Sequence, residues 1–158
     1  LDEVRRLKEL IPDIVLTSDV IVGFPGETTE EFEETLSLLE QVRFDALFTF
    51  IFSPRVGTPA AQMEDPTPMA EKKARFQRLL DLQNRISLEK HQAYVGRTLP
   101  VLVEEENDAD PVNNLNCRTD GWRLVHVPGA PETVGQRKLV KITGCSTWSL
   151  FGAFVEEA

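Results

Sequence analysis

Cysteine is scarce in this chain, with two in 158 residues, Cys117 and Cys145. They lack the spacing of a zinc or cluster site, and a lone pair is weak evidence for a disulfide, so they read as two buried free thiols. Long apolar runs are missing as well. The longest fall far short of the ~20 residues that cross a bilayer, and no secretory leader is visible. No membrane partner is expected, and the cytoplasm is the expected compartment. Neither GxGxxG nor GxxxxGKS/T occurs, so the chain carries no Rossmann fingerprint and no P-loop. The two histidines, His91 and His126, stand alone without metal-ligand neighbours and read as hydrogen-bonded structural residues; no metal site is expected. Positive charge is short too: 17 Lys and Arg stand against 26 Asp and Glu, for a net charge of −9. That balance argues against nucleic-acid binding by the surface as a whole. Divided at Gly96, the first part has 11 basic against 17 acidic residues and the second 6 against 9. Neither part is basic, so any nucleic-acid role must rest on where the cations are placed.

What is present begins with the run Ser18-Asp19-Val20-Ile21-Val22-Gly23-Phe24-Pro25-Gly26-Glu27-Thr28. Val15 to Val22 is apolar and mostly β-branched, which predicts a strand covered on both faces, as in a parallel sheet. Gly23 and Gly26 permit positive φ and close approach of a ligand to the backbone. Thr28 and Glu31 form a capping-box pattern, predicting a helix from Thr29 to about Val42 with Phe32, Leu36, Leu39 and Val42 as its buried stripe. Glu30, Glu31, Glu33 and Glu34 crowd its first turns, where the helix dipole favours carboxylates. Phe44 to Phe52 reads as a second buried strand, completing a βαβ unit. In such units ligands sit beyond the carboxyl ends of the strands, where both the glycine loop and Ser53-Pro54-Arg55-Val56-Gly57-Thr58 fall. A helix of period 3.6 over Leu1 to Leu10 ends before Pro12. A long helix is predicted from Met69 to about Tyr94, with Phe76, Leu79, Leu80, Leu82 and Ile86 inward and Lys72, Lys73, Arg75, Arg78 and Arg85 on solvated faces.

Gly96 changes the pattern. Short strand-like runs follow at Thr98–Glu104, Asn116–Thr119, Arg123–Val127, Arg137–Thr143 and Leu150–Val155, with turn signals at Asp120-Gly121 and Pro128-Gly129. Five such strands fit a small antiparallel barrel of the kind that binds oligonucleotides, or a plain structural β module.

Four stretches carry a resemblance: TSDVIVGFPGETTEEFEETL, VRFDALFTFIFSPRVGTPAAQM, ARFQRLLDLQNRISLEKHQAYVG, and CRTDGWRLVHVPG with TWSLFG. Together the chain resembles the radical S-adenosylmethionine methylthiotransferase family, closest to its MiaB-type tRNA branch. The fold the resemblance implies is α/β followed by all-β. Residues 1–95 would be the last strands and helices of a partial TIM barrel with a long connecting helix. Residues 96–158 would be a TRAM domain, a five-stranded antiparallel, OB-like barrel. The opening Leu1, within a charged helical segment and without Met, is read as the interior of a longer protein, so the chain is expected to be a carboxyl-terminal part. The family's CxxxCxxC motif and its three upstream cysteines hold two 4Fe-4S clusters. Both sets are absent here, so no catalytic residue is assigned and the chain alone is expected to be inactive.

The resemblance also gives residues roles. Gly23, Phe24, Pro25, Gly26 and Glu27 would pack against the adenosyl part of S-adenosylmethionine, and Ser53, Arg55, Gly57 and Thr58 would line the same barrel mouth. Arg55 would neutralise a carboxylate, contact RNA phosphate or form a structural salt bridge. Asp19, taken as buried, would need a hydrogen-bonding partner. In the barrel, Arg118, Thr119, Trp122, Arg123, Lys138 and Lys141 are the candidates for RNA, expected to be a tRNA anticodon stem-loop; Trp148 is read as a core residue. The implied parent activity is methylthiolation of a modified adenosine beside the anticodon. The alternatives are the branches acting on threonylcarbamoyladenosine or on a ribosomal protein, and a non-catalytic RNA-binding module. Strands cut from a larger sheet are expected to make the chain self-associate.

Overall fold

The computed structural model describes residues 1–155, which divide into two compact units. The first comprises Leu1–Pro12 and Leu16–Ile86; the second comprises Asp13–Val15 and the chain from Ser87 onward.

In the first unit α1 (Asp2–Leu10) leads to β1 (Thr17–Val22), α2 (Thr29–Val42), β2 (Ala46–Ile51) and the start of α3 (Met69–Gln92). β1 and β2 pair in parallel, with Asp19 level with Phe48 and Ile21 level with Phe50. The ladder is extended at its foot, where Asp45 N–H donates to the Leu16 carbonyl and the Asp45 carboxylate accepts from Leu16 N–H. α2 starts as its sequence dictates: Thr28 Oγ accepts from Glu31 N–H while the Glu31 carboxylate accepts from Thr28 N–H. It ends at Arg43, whose left-handed φ of 53° terminates the helix.

Strand side chains alternate between faces, and here the two faces differ. Val20, Val22 and Leu47 turn toward Phe32, Leu39 and Leu79 of α2 and α3, forming this unit's core. The opposite face carries Asp19, Ile21, Phe48 and Phe50, all exposed; Phe48 and Phe50 are 60% and 56% accessible. The apolar pattern suits strands covered on both faces, but here helices cover one face only, and the other is bare, as expected for strands cut from a larger sheet. Asp19 is likewise exposed rather than buried.

α3 departs from expectation too. Lys72 and Arg75, read as solvated, are 2% and 6% exposed. The strands that precede α3 end in loops rich in carboxylates and carbonyls, and these two cations are drawn inward to meet them.

In the second unit β3 (Thr98–Glu106), β4 (Leu115–Thr119), β5 (Leu124–Val127), β6 (Arg137–Cys145) and β7 (Leu150–Phe154) close a barrel in the order β3-β4-β5-β7-β6. Alternate residues point inward, and Val101, Val103, Leu115, Cys117, Val125, Val127, Val140, Ile142 and Leu150 fill the interior. Small and β-branched side chains suit so narrow a barrel. β3 and β6 each carry an irregularity, at Val103/Glu105 and Ile142/Gly144, where the sheet bends to close. Gly152 lets β7 lie tight on β6, since a Cβ there would stand 2.4 Å from Val140 Cγ1. The barrel is mixed rather than wholly antiparallel, because β5 and β7 run parallel. A chain that closes β7 between β5 and β6, antiparallel to β6, leaves it no other sense beside β5.

Candidate functional site

The first unit gathers its candidate residues where β1 and β2 end. An open cleft of about 440 Å³ is lined by Asp19, Ile21, Phe50, Phe52, Ser53, Arg55 and Thr58, among others. Its floor is apolar sheet and its rim is polar loop. Thr58 shapes that rim, its hydroxyl and its N–H both donating to the Arg55 carbonyl. Gly57, at φ 86°, makes the turn between them, and space around it is open.

The glycine loop is organised differently. Gly23, at φ 71°, has no room for a side chain, because a Cβ would lie 2.6 Å from Lys72 Cδ. The bare glycine thus receives the Lys72 stem. The Lys72 ammonium ends on the Asp65 carboxylate and lies 5.8 Å from the centre of the Phe52 ring. One turn along α3, Arg75 donates to the Glu27 carbonyl at 2.9 Å, the Glu27 carboxylate at 3.1 Å and the Thr28 carbonyl at 3.3 Å, and pairs with Glu71. Burial works against its charge, but Glu71 and Glu27 outweigh this and hold its pKa above the ordinary value. Glu27 also accepts from Gly23 N–H at 2.8 Å. Gly23, Pro25 and Glu27 are therefore held within the fold, whereas Gly26, with nothing within 4 Å of its Cβ position, and the half-exposed Phe24 remain open. Phe24 meets Phe52 edge-on at 5.1 Å, joining the two loops. Sequence reasoning placed both loops at one strand end but missed the role of Lys72 and Arg75. Their helical spacing matches a solvated face as well as a clamp.

In the barrel, the RNA candidates separate. Thr119 and Arg123 are buried. Thr119 Oγ accepts from Arg123 N–H, fixing the β4–β5 turn, and the Arg123 guanidinium lies 4.7 Å from the Tyr94 ring centre. Arg97 lies over the same ring at 4.8 Å. Arg118 pairs with Glu104 at 2.9 Å and lies 5.8 Å from the ring of Trp122. Trp122 adopts φ 63° and points outward. Lys141 is exposed and Lys138 half-buried, both on β6. Arg97 and Arg137 were not singled out from the sequence; nothing in their spacing marks them, since closure of the barrel brings Arg137 to Asp120 at 2.7 Å. Trp148, expected in the core, is 73% exposed. It lies in the β6–β7 turn, outside the alternation that aims a residue inward.

The histidines are hydrogen-bonded: His91 Nδ1 to the Ser146 carbonyl at 2.8 Å, His126 Nδ1 to Asn116 Oδ1 at 2.9 Å. Partial burial lowers the His126 pKa. Cys117 and Cys145 are free thiols, and burial pushes Cys117 up to about 11. Cluster iron is held by sets of four cysteine thiolates, and with two cysteines in the chain, Cys117 inside the barrel core, an iron–sulfur cluster does not fit them. Among the described residues, no group of three His, Cys, Asp or Glu side chains is placed to hold a metal ion, and no helix is long and apolar enough to cross a membrane.

Residues 92–155 match the family model for the TRAM domain. The whole chain is similar to part of proteins named tRNA-2-methylthio-N(6)-dimethylallyladenosine synthase. It is 51% identical over 157 residues to that of Bacillus cereus (strain B4264) and 52% over 158 residues to that of Bacillus pumilus. The synthase of Geobacillus kaustophilus is 49% identical over 158 residues. These alignments take in 99–100% of this chain but only 30–31% of each relative.

Proposed function

We infer that this chain, a TRAM-containing member of the tRNA methylthiotransferase family, is the carboxyl-terminal segment of an enzyme that adds a methylthio group to a modified adenosine next to the tRNA anticodon. The observation that carries this reading is identity near one half along the full chain, with relatives named for that product. The two units take different parts. The barrel, as a TRAM domain, holds the tRNA at its anticodon stem-loop in the cytoplasm. The cleft beside β2 contributes one wall of an S-adenosylmethionine pocket. Its apolar floor of Ile21 and Phe50 suits a flat base, and its rim of Ser53, Arg55 and Thr58 suits a ribose and a carboxylate. The radical chemistry belongs to the cofactor when it is bound in the parent. The part of this chain is to shape the wall and present the RNA.

The test is binding of a fluorescein-labelled anticodon stem-loop to the chain, followed by anisotropy over a salt series. Weak binding is expected, roughly micromolar, falling steeply with salt because phosphate contacts release counterions. Arg118→Ala weakens it. Binding that ignores salt, or none at all, overturns the RNA role.

A further inference from the structure

We propose that Trp148, together with Trp122, forms a stacking platform for unpaired bases of RNA on one rim of the barrel; this rests on the RNA-binding reading above. An exposed tryptophan is an uncommon expense of apolar surface, and here two are equally exposed, at 73%. The topology sets them at one end of the barrel. β5 and β7 are adjacent and parallel, with Val125 level with Leu150. Trp122 comes three residues before Val125 and Trp148 two before Leu150. Both indoles therefore stand on turns at the entry end of neighbouring strands, on one rim of the barrel.

The turn that carries Trp148 is built to hold its shape. Ser146 Oγ accepts from the N–H groups of Trp148 and Ser149, at 3.2 and 3.0 Å. Ser146 N–H donates to the Ser149 carbonyl at 2.8 Å, and the Ser146 carbonyl is bonded to His91. An aromatic ring presented on a fixed backbone loses little entropy when a base lands on it.

A cation stands beside one of them: the Arg118 guanidinium lies 5.8 Å from the Trp122 ring centre while pairing with Glu104. Arg97, 45% exposed at the same rim, lies over the Tyr94 ring and pairs with Asp13. The acidic run Glu105, Glu106, Asp108 and Asp110 lies at the other end of β3 and in the loop that follows. A guanidinium beside an exposed indole is the chemistry of single-stranded RNA, phosphate on the cation and base on the ring. A duplex keeps its bases stacked on each other and offers the indoles nothing.

With two tryptophans in the chain, Trp122→Phe leaves Trp148 as the sole indole reporter. Its emission is followed as single-stranded oligoadenylate is added, while anisotropy of the labelled strand measures binding; an RNA duplex of equal length is the comparison. Saturable quenching of Trp148 that tracks the anisotropy is expected with the single strand and not with the duplex. Trp148→Ala weakens binding roughly 5- to 150-fold, and Trp148→Phe restores most of it. If the single strand binds while Trp148 emission stays fixed and Trp148→Ala binds as the parent chain does, the platform is refuted and the RNA-binding reading stands. If neither RNA raises the anisotropy, both fall. Emission that changes with protein concentration alone assigns Trp148 to a contact between copies and refutes the platform too.

Discussion

Arg75→Met isolates what the clamp beneath the glycine loop contributes. The substitution keeps the length of the stem but removes a guanidinium that holds two carbonyls, Thr29 Oγ and two carboxylates. Glu71 is half-exposed and regains water, but the Glu27 side chain is only 13% exposed. It would be left with Gly23 N–H as its remaining bond from within the loop. Removing one partner of a buried pair costs about 3–5 kcal/mol, largely the cost of the orphaned charge. Against a domain stability of about 5–15 kcal/mol, that is a large share. Far-UV circular dichroism during urea unfolding follows α1, α2 and α3, whereas fluorescence follows the barrel, because Trp122 and Trp148 both lie there. The helical transition should move down by at least roughly 1 M urea, with the fluorescence transition nearly fixed. Glu27→Gln added to Arg75→Met should recover part of the loss, since it removes the stranded charge. Arg78→Met, which breaks an exposed pair with Glu33, should change little. A shift for Arg75→Met no larger than for Arg78→Met would refute the reasoning.

Three further outcomes are expected. Gly23→Ala should destabilise the first unit more than Gly26→Ala: both positions have positive φ, worth about 1–2 kcal/mol for an alanine, but only at Gly23 must the Lys72 stem also move; equal effects in urea would show that Lys72 yields freely. Barrel stability should fall as pH drops through the unfolded histidine pKa near 6.5, because the His126 pKa is lowered in the fold and the unfolded chain takes the proton first; the fall should flatten in His126→Gln, and an unchanged slope would assign it elsewhere. The chain should self-associate through the bare face of β1 and β2, and Phe48→Lys with Phe50→Lys should shift it toward monomer in sedimentation; a parent chain monomeric across the micromolar range would overturn this.

Much of the local structure was legible because each signal had one physical reading. Thr28 and Glu31 are spaced for a reciprocal cap, and the helix begins at Thr29. The close turns after Gly96 admit only short strands, and five are present in a closed barrel. What could not be read is which face of a strand has a neighbour. Asp19, Ile21, Phe48 and Phe50 differ little in character from the inward residues beside them, and a continuous apolar run describes a strand covered on two sides. The bare face follows from tertiary arrangement, which places α2 and α3 on one side of the pair. The parallel sense of β5 and β7 was equally hidden, since hairpin signals report neighbours in sequence and these strands are neighbours only through closure.

The candidate sites were legible where a turn dictates position and illegible where a long side chain decides it. Ser53, Arg55 and Thr58 come directly after a parallel strand, and they line the cleft as that topology requires. Lys72, Arg75, Arg118 and Arg123 carry their charge four or more bonds from the backbone, so sequence position leaves their reach open by several ångströms. Two of the four became clamps under the glycine loop, and two lie over aromatic rings of the barrel. Trp148 shows the converse. A tryptophan near the end of a β domain most economically fills the core, and the reading of its sequence followed that economy. Yet the barrel interior is already filled by nine small or aliphatic residues, and an indole has no place among them. Volume, which the sequence does not display, puts Trp148 outside, and Ser146 then holds it there.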